Sequence, residues 1–409
     1  MKKEKNKDIK TTKKSNNKEG KINIKNHIFS ILFFEIMGFL FCLLFLFVLS
    51  GGRNFIKLYK DLNKLINVYD TITSDYYGKI DKDDLVDSAI ESMLESVGDD
   101  FTTYANQKNT NDFLENIEGS YEGIGCLVSM DENNNIYVVN VFEDSPAEKA
   151  GLKKDDIIIK VDGQDYKGKT SNDMSSYVKN SKNAKVKLTI KREEKIEELT
   201  LVREKLEVPS VTSKIIEKGE KKIGYIDISI FSAVTYNQFK SELKSLEKDD
   251  IEGLVIDVRN DTGGYLDIVT DITSLFLKKG QVIYQLEDKN KKTKVKDKTK
   301  EHRKYPIAIL INGSSASASE ILASAIKENY KYNSFIVGTN SYGKGTVQKT
   351  KKLSDGSMIK YTTQNWLTPK GLWINEKGVE PTNYIEYDKS SETDNQLDLA
   401  LELINEKIK

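Results

Sequence analysis

Four serines crowd into eight residues, Gly313-Ser314-Ser315-Ala316-Ser317-Ala318-Ser319-Glu320, in a chain of 409 residues that holds only two histidines. The apolar run Ile307 to Ile311 precedes this stretch and Ile321 to Ile326 follows it, which predicts a buried strand, a tight turn and a helix. A hydroxyl at a helix N-terminus meets backbone amides that have no partner, so the turn is a place for a nucleophile. The same residues also read as an N-cap cluster with its capping glutamate. A serine nucleophile needs a base. His27 adjoins a long apolar run and His302 lies in a charged segment, so a Ser-His-Asp triad rests on His302 alone. The other base is a lysine made neutral by desolvation or by a nearby cation. Lys344, in Tyr342-Gly343-Lys344-Gly345-Thr346-Val347-Gln348, stands out because its flanking glycines permit close approach to an apolar floor. The stretch ending at Lys344 is near a phosphate-binding loop, but Gly345 stands where Ser or Thr would hold magnesium, and a β-rich segment follows. No spacing of Cys or His suggests a metal site, and neither a metal nor another cofactor is expected.

These residues need elements to hold them. The length and a 38% hydrophobic content allow two or three domains. The formal net charge is zero, yet residues 1–27 carry ten Lys against three acids. The next stretch, Ile28 to Leu49, has 22 residues and a single ionisable side chain, Glu35. Its Leu, Ile, Phe and Val contribute roughly −7 kcal/mol toward insertion, against about 3 for the acid, so a membrane-spanning signal anchor is expected. The lysine-rich side then stays cytoplasmic and the chain after Leu49 lies outside. Glu35 reads as a bystander there. Two cysteines, Cys42 and Cys126, make no disulfide framework.

Residues 54–118 show helical periodicity, as in Leu58, Leu62, Leu65, Ile66 and Tyr69. A stalk and a homodimerisation arm both fit this stretch. From Glu118 the pattern turns to short alternating runs. The run "SPAEKAGLKKDDIIIKVDG" from Ser145, with Gly123-Ile124-Gly125 upstream, resembles a PDZ domain of the bacterial permuted type. That resemblance implies that the amides of Ile124, Gly125 and Cys126 receive a peptide's C-terminal carboxylate while the peptide adds a strand. Beyond Pro209, strands at Ile223 to Ile228 and Gly253 to Val258 alternate with helices at Gln238 to Leu246 and Leu266 to Leu277, the spacing of an α/β layered core. The lysine-heavy segment 288–304 mixes both charge signs and lacks interleaved aromatics, so no nucleic-acid partner is expected.

With "GLVIDVRNDTGG", "ILINGSSASASEILASAI", "YGKGTVQ", "TPKG" and "KGVEPT" added, about four fifths of the chain resembles the carboxyl-terminal processing peptidases, or tail-specific proteases. The resemblance implies Ser317 as nucleophile, chosen over Ser315 and Ser319, Lys344 as base and Gln348 as the residue that orients it. It implies acyl transfer, with the amides of Ala318 and Gly263 as oxyanion donors. Thr262 stands where the family usually has Pro, and Thr382 where Asp is common. Tyr361, Trp366 and Trp373 fall in expected strands near the site and read as core.

The expectation is an α+β multidomain chain: a cytoplasmic tail over 1–27, a membrane anchor over 28–49, a helical arm over 54–118, a permuted PDZ domain over 119–205 and an α/β layered serine protease core over 206–409. Its expected function is that of a membrane-anchored serine endopeptidase, acting outside the cytoplasmic membrane on proteins with apolar C-termini. The alternative is a PDZ-based binding protein with an inactive protease core.

Overall fold

The apolar run lies within one helix, α1 (Ile24–Leu49), whose stretch His27–Phe45 is long and apolar enough to cross a membrane by length and composition. The structure, a computed structural model, describes residues 24–49, 55–181 and 183–408, so most of the expected cytoplasmic tail lies outside the described residues. The chain divides into two compact units, 1–86 and 87–409. In the first, α2 (Phe55–Asp75) leaves Leu62, Leu65 and Ile66 exposed. Helix α3 (Lys82–Glu95) crosses the division and is capped by Asp81, whose Oδ1 accepts from the amides of Asp83 and Asp84.

The expected helical arm is interrupted. Residues Thr103–Ala105 form a strand, β1, before α4 (Gln107–Glu118), because Asp99 folds the chain into a turn by accepting from the Phe101 amide and the Thr102 hydroxyl. Strand β2 (Ser120–Gly123) then leads into β3 (Cys126–Met130), β4 (Ile136–Val141), the short helix α5 (Pro146–Lys149), β5 (Ile157–Val161), β6 (Gln164–Asp165), α6 (Ser171–Asn180), β7 (Lys185–Arg192), β8 (Lys195–Val202) and β9 (Glu204–Glu207). Six of these strands form a sheet in the order β3-β4-β5-β7-β8 with β6 also on β5, while β2 pairs with β9 as the ribbon where the chain enters and leaves. Ile136, Val138, Ile158, Leu188 and Ile190 alternate into its core against Met174 and Val178 of α6.

The last part opens with β10 (Val211–Lys218) and β11 (Lys221–Ile228), followed by α7 (Thr235–Lys248), β12 (Gly253–Asp257), α8 (Leu266–Ser274), β13 (Val282–Glu287), β14 (Lys292–Lys296), β15 (Ile307–Ile311), α9 (Ala318–Asn329), β16 (Ser334–Gly338), β17 (Thr346–Lys352), β18 (Met358–Leu367), β19 (Asn383–Tyr384) and α10 (Asn395–Asn405). The main sheet runs β10-β11-β12-β15-β16-β19, parallel from β11 onward. Every residue of β12 and β15 is buried, as continuous apolar runs in a covered parallel sheet require. One face packs on Phe239, Leu243, Val269, Ile272, Leu322 and Ile326 of α7, α8 and α9, and the other on Ala400, Leu401 and Ile404 of α10. A second sheet, β1-β18-β13-β14 with β17 on β18, joins the strand from the interrupted arm to this part. Part of the lysine-heavy excursion is therefore strand β14. Thr382 bridges to β16, its hydroxyl accepting from the Ile336 amide and donating to the Ile336 carbonyl.

Candidate active site

Three loops leave the carboxyl ends of three adjacent parallel strands. The chain after β12 carries Asp261 and Gly263, that after β15 carries Ser317, and that after β16 carries Lys344. In open α/β sheets the carboxyl edge is where ligands bind, and here topology alone brings these loops together.

Ser317 caps α9 with φ 54° and ψ −108°, a left-handed-side conformation that costs a side-chain-bearing residue of order 1–3 kcal/mol. Its turn is held from several sides. The buried Ser315 hydroxyl donates to Val258 O at 2.7 Å, and the buried Ser319 hydroxyl donates to Asp261 O at 3.0 Å. Both competing serines are thus engaged inside the core, while Ser317 is half-exposed. The Ser317 amide donates to Glu320 Oε2 at 2.7 Å, the glutamate half of a capping box.

Glu320 does more than cap. Fully buried, it also accepts from the Lys344 amide at 2.9 Å on the same Oε2, and from the Gly343 amide at 2.7 Å and the Ser341 hydroxyl at 2.6 Å on Oε1. Burial raises its pKa against the opposing pull of these donors. Sequence reasoning gave Glu320 only a capping part; the capping box was the available signal, and the second loop was not visible in it.

The Lys344 carbonyl accepts from the buried Trp366 indole at 2.6 Å, so Glu320 and Trp366 fix its backbone from both ends. Its ammonium lies 4.4 Å from the centre of the Phe101 ring, on the turn before β1. Burial lowers the Lys344 pKa, and the like charge of Lys360 on β18 lowers it further, while Glu320 and Asp99 pull the other way. Phe101 and Asp99 were missed because the segment read as helix.

Gln348 on β17 directs its amide nitrogen to Thr346 Oγ1 at 2.9 Å and Thr362 Oγ1 at 3.1 Å, and Lys344 is not among these partners. The two amides expected to face an oxyanion differ. That of Ala318, first in α9, has no acceptor among the described residues. That of Gly263 donates to Asp261 Oδ1 at 2.8 Å. Gly263 nevertheless adjoins the serine turn. With φ 102°, a Cβ there would lie 2.7 Å from Ala316 O, 2.8 Å from Ser317 Cβ and 3.0 Å from Ala318 N. His302 is exposed in the chain after β14, and Trp373 lies in a loop beyond β18 rather than in a strand, its indole donating to Gly345 O.

In the PDZ-like part, Ile124, Gly125 and Cys126 line a cavity of about 60 Å³ with Tyr121, Met174 and Val178. The Ile124 and Gly125 carbonyls are tied back by the Ala147 and Phe142 amides. Gly125 has φ 83°, and a Cβ there would collide with Ser145. Burial pushes the Cys126 thiol up to about 12, so it is a neutral wall rather than a reactive thiolate.

Against known proteins, residues 222–385 match the model of peptidase family S41, 123–202 that of the PDZ domain, and 50–109 that of the N-terminal domain of the activating protease CtpB. The chain is 40% identical to the carboxy-terminal processing protease CtpB of Bacillus subtilis over 79% of its own length and 67% of the relative's. It is 37% identical to a probable CtpA-like serine protease of Staphylococcus aureus over 78% of this chain and 64% of that one. The solved photosystem II D1 C-terminal processing protease is 25% identical, covering 82% of this chain and 88% of that one, with a TM-score of 0.45.

Proposed function

Because this chain belongs to peptidase family S41, the C-terminal processing serine proteases, we propose that Ser317, Lys344 and Gln348 are its catalytic residues. Neutral Lys344 takes the Ser317 proton as Oγ attacks the scissile carbonyl, and returns it to the leaving amine. The acyl-enzyme is then hydrolysed by the same base acting on water. The amides of Ala318 and Gly263 receive the oxyanion. The observation that carries this reading is the shared Glu320 carboxylate, which ties the main chains of Ser317 and Lys344 together at one sheet edge.

Catalysis requires two moves from the arrangement described. The Lys344 ammonium leaves the Phe101 ring for Ser317, and Gln348 leaves its threonine partners to orient the lysine. The permuted PDZ domain, over 119–205, captures an apolar C-terminal tail at Ile124, Gly125 and Cys126. The protease core over 206–409 then cuts near that end. Helix α1 is a membrane anchor that leaves the catalytic part outside the cytoplasmic membrane, and the exposed apolar side chains of α2 suit a homodimer.

The test compares the full chain with Ser317→Ala and Lys344→Ala on an unfolded protein bearing an apolar tail. Both variants are expected to bind the tail and lose turnover. Equal cleavage by wild type and Ser317→Ala would remove the serine assignment, and tail binding with no cleavage by the wild type would favour a binding protein.

A further inference from the structure

A buried carboxyl group lies against the serine turn and has no part in the steps above. Asp261 is fully buried, its Oδ1 accepts from the Gly263 amide at 2.8 Å, and its Oδ2 has no hydrogen-bond partner among the described residues. Its main chain is tied into the site, because its carbonyl accepts from the Ala316 amide and the Ser319 hydroxyl, both at 3.0 Å. Among the described residues no cation is paired with its carboxyl group, and Arg259 of its own loop is taken up by Asp257 and Asp394. Asp227 of β11 is a like charge; the Asp257 carboxylate of β12 is held by Arg259 and Tyr225; Glu320 of α9 is held by the Ser317, Gly343 and Lys344 amides. A charge with one donor and one orphaned oxygen in such a place is costly, and the neutral acid is favoured. Burial accordingly pushes the Asp261 pKa up to about 8.

We propose that Asp261 is a positioning residue for the Gly263 oxyanion donor, and that turnover requires its carboxyl group to be protonated. The inference rests on the reading of Ser317 as nucleophile and Gly263 as donor. The Gly263 amide has two claimants, Asp261 Oδ1 and the oxygen that becomes negative when Ser317 attacks. A neutral carboxyl accepts weakly and releases the amide. An ionised one holds it by a charge-assisted bond and sets a negative charge behind the forming oxyanion. Ionisation of Asp261 thus closes the oxyanion site, while deprotonation of Lys344 opens the reaction.

The experiment is the pH profile of kcat for the full chain and Asp261→Asn on a tail-bearing substrate. Asn keeps an acceptor for Gly263 and cannot ionise. Wild type is expected to rise with lysine deprotonation and then fall about tenfold per pH unit above about 8. Asp261→Asn is expected to lack that fall and hold its plateau. A decline identical to wild type overturns the proposal. Infrared titration of the carboxyl bands in Ser317→Ala, with and without Asp261→Asn, gives a second readout that does not depend on turnover. It should show a neutral acid that ionises near 8 and is missing from the double variant, and a group already ionised at neutral pH overturns the proposal. Turnover by Ser317→Ala would instead overturn the site reading.

Discussion

The backbone amides of Ser317 and Lys344, on different loops, donate to one oxygen atom, Oε2 of Glu320, at 2.7 and 2.9 Å. The register between proposed nucleophile and proposed base is therefore set by a carboxylate together with one direct bond between the loops, from the Tyr342 amide to Ser315 O at 3.0 Å. Such a carboxylate cannot be replaced by its amide without loss, since each oxygen already has two donors facing it.

In Glu320→Gln the new NH₂ group meets two backbone amides at the Oε2 position, or one at the Oε1 position, where the Ser341 hydroxyl can turn to accept. Leaving such amides unsatisfied costs about 2 kcal/mol of stability, and the loosened loops are expected to lose roughly tenfold to a hundredfold in kcat. Thermal melting and single-substrate kinetics check both. Unchanged turnover in a folded variant would show that the loops hold their register without Glu320.

Lys360 offers a pH test of the base. Burial comes first in lowering the Lys344 pKa, and the Lys360 charge is the next cause. In Lys360→Gln the like charge is gone, so the Lys344 pKa rises and less of the neutral amine exists at a given pH. The acidic limb of the kcat profile is expected to move to higher pH, with about a tenfold loss on that limb for each unit of movement. A limb that stays in place would mean that another group controls it.

The motifs made much of this arrangement legible and hid the rest for identifiable reasons. Continuous apolar runs gave β12 and β15 directly, while the small-residue turn offered four serines from which only the family resemblance chose Ser317. Glu320 looked complete as a cap because its second set of donors comes from residues 341–344, and pairing across loops leaves no periodic trace. Phe101 and Asp99 were lost to the helical period of their neighbours; the turn at Asp99 depends on a side-chain bond that hydrophobic spacing does not register. Gly263 lies close to Ser317, but the bond of its amide to Asp261 is a matter of local conformation that a motif leaves open.

Arg259 anchors the base of the Asp261–Gly263 loop. Its guanidinium pairs with Asp257 at 2.6 Å and with Asp394, at the start of α10, at 2.7 Å. Burial works against ionisation of Asp394, but the Arg259 bonds outweigh it and hold the carboxyl below its ordinary range. A lowered carboxyl pKa stabilises the fold above the unfolded value, and that stabilisation is lost as pH falls through the folded one. Arg259→Lys cannot keep both forks, so a loss of about 3 kcal/mol and acid unfolding at higher pH are expected. Acid titration followed by circular dichroism checks this, and an unmoved midpoint would count against the pair.

Gly263 and Gly264 separate turnover from folding. A methyl group on Gly263 would meet Ala316 O, Ser317 Cβ and Ala318 N at 2.7 to 3.0 Å, at a φ of 102° that side chains avoid. Relief requires the serine turn to move by a few tenths of an ångström or more. Displacement of that kind is expected to cost roughly a hundredfold in kcat. Because the strain falls on a loop at the sheet edge rather than on a core strand, Gly263→Ala should still fold and still capture a tail peptide. Gly264 faces backbone instead: its methyl would collide with the Phe231 carbonyl beneath it, where Tyr265 N already donates. Gly264→Ala is therefore expected to lose stability first, seen as a lower melting temperature, with activity falling only as the fold does. If Gly263→Ala turned over substrate at the wild-type rate, the close approach of this loop to Ser317 would have no bearing on catalysis.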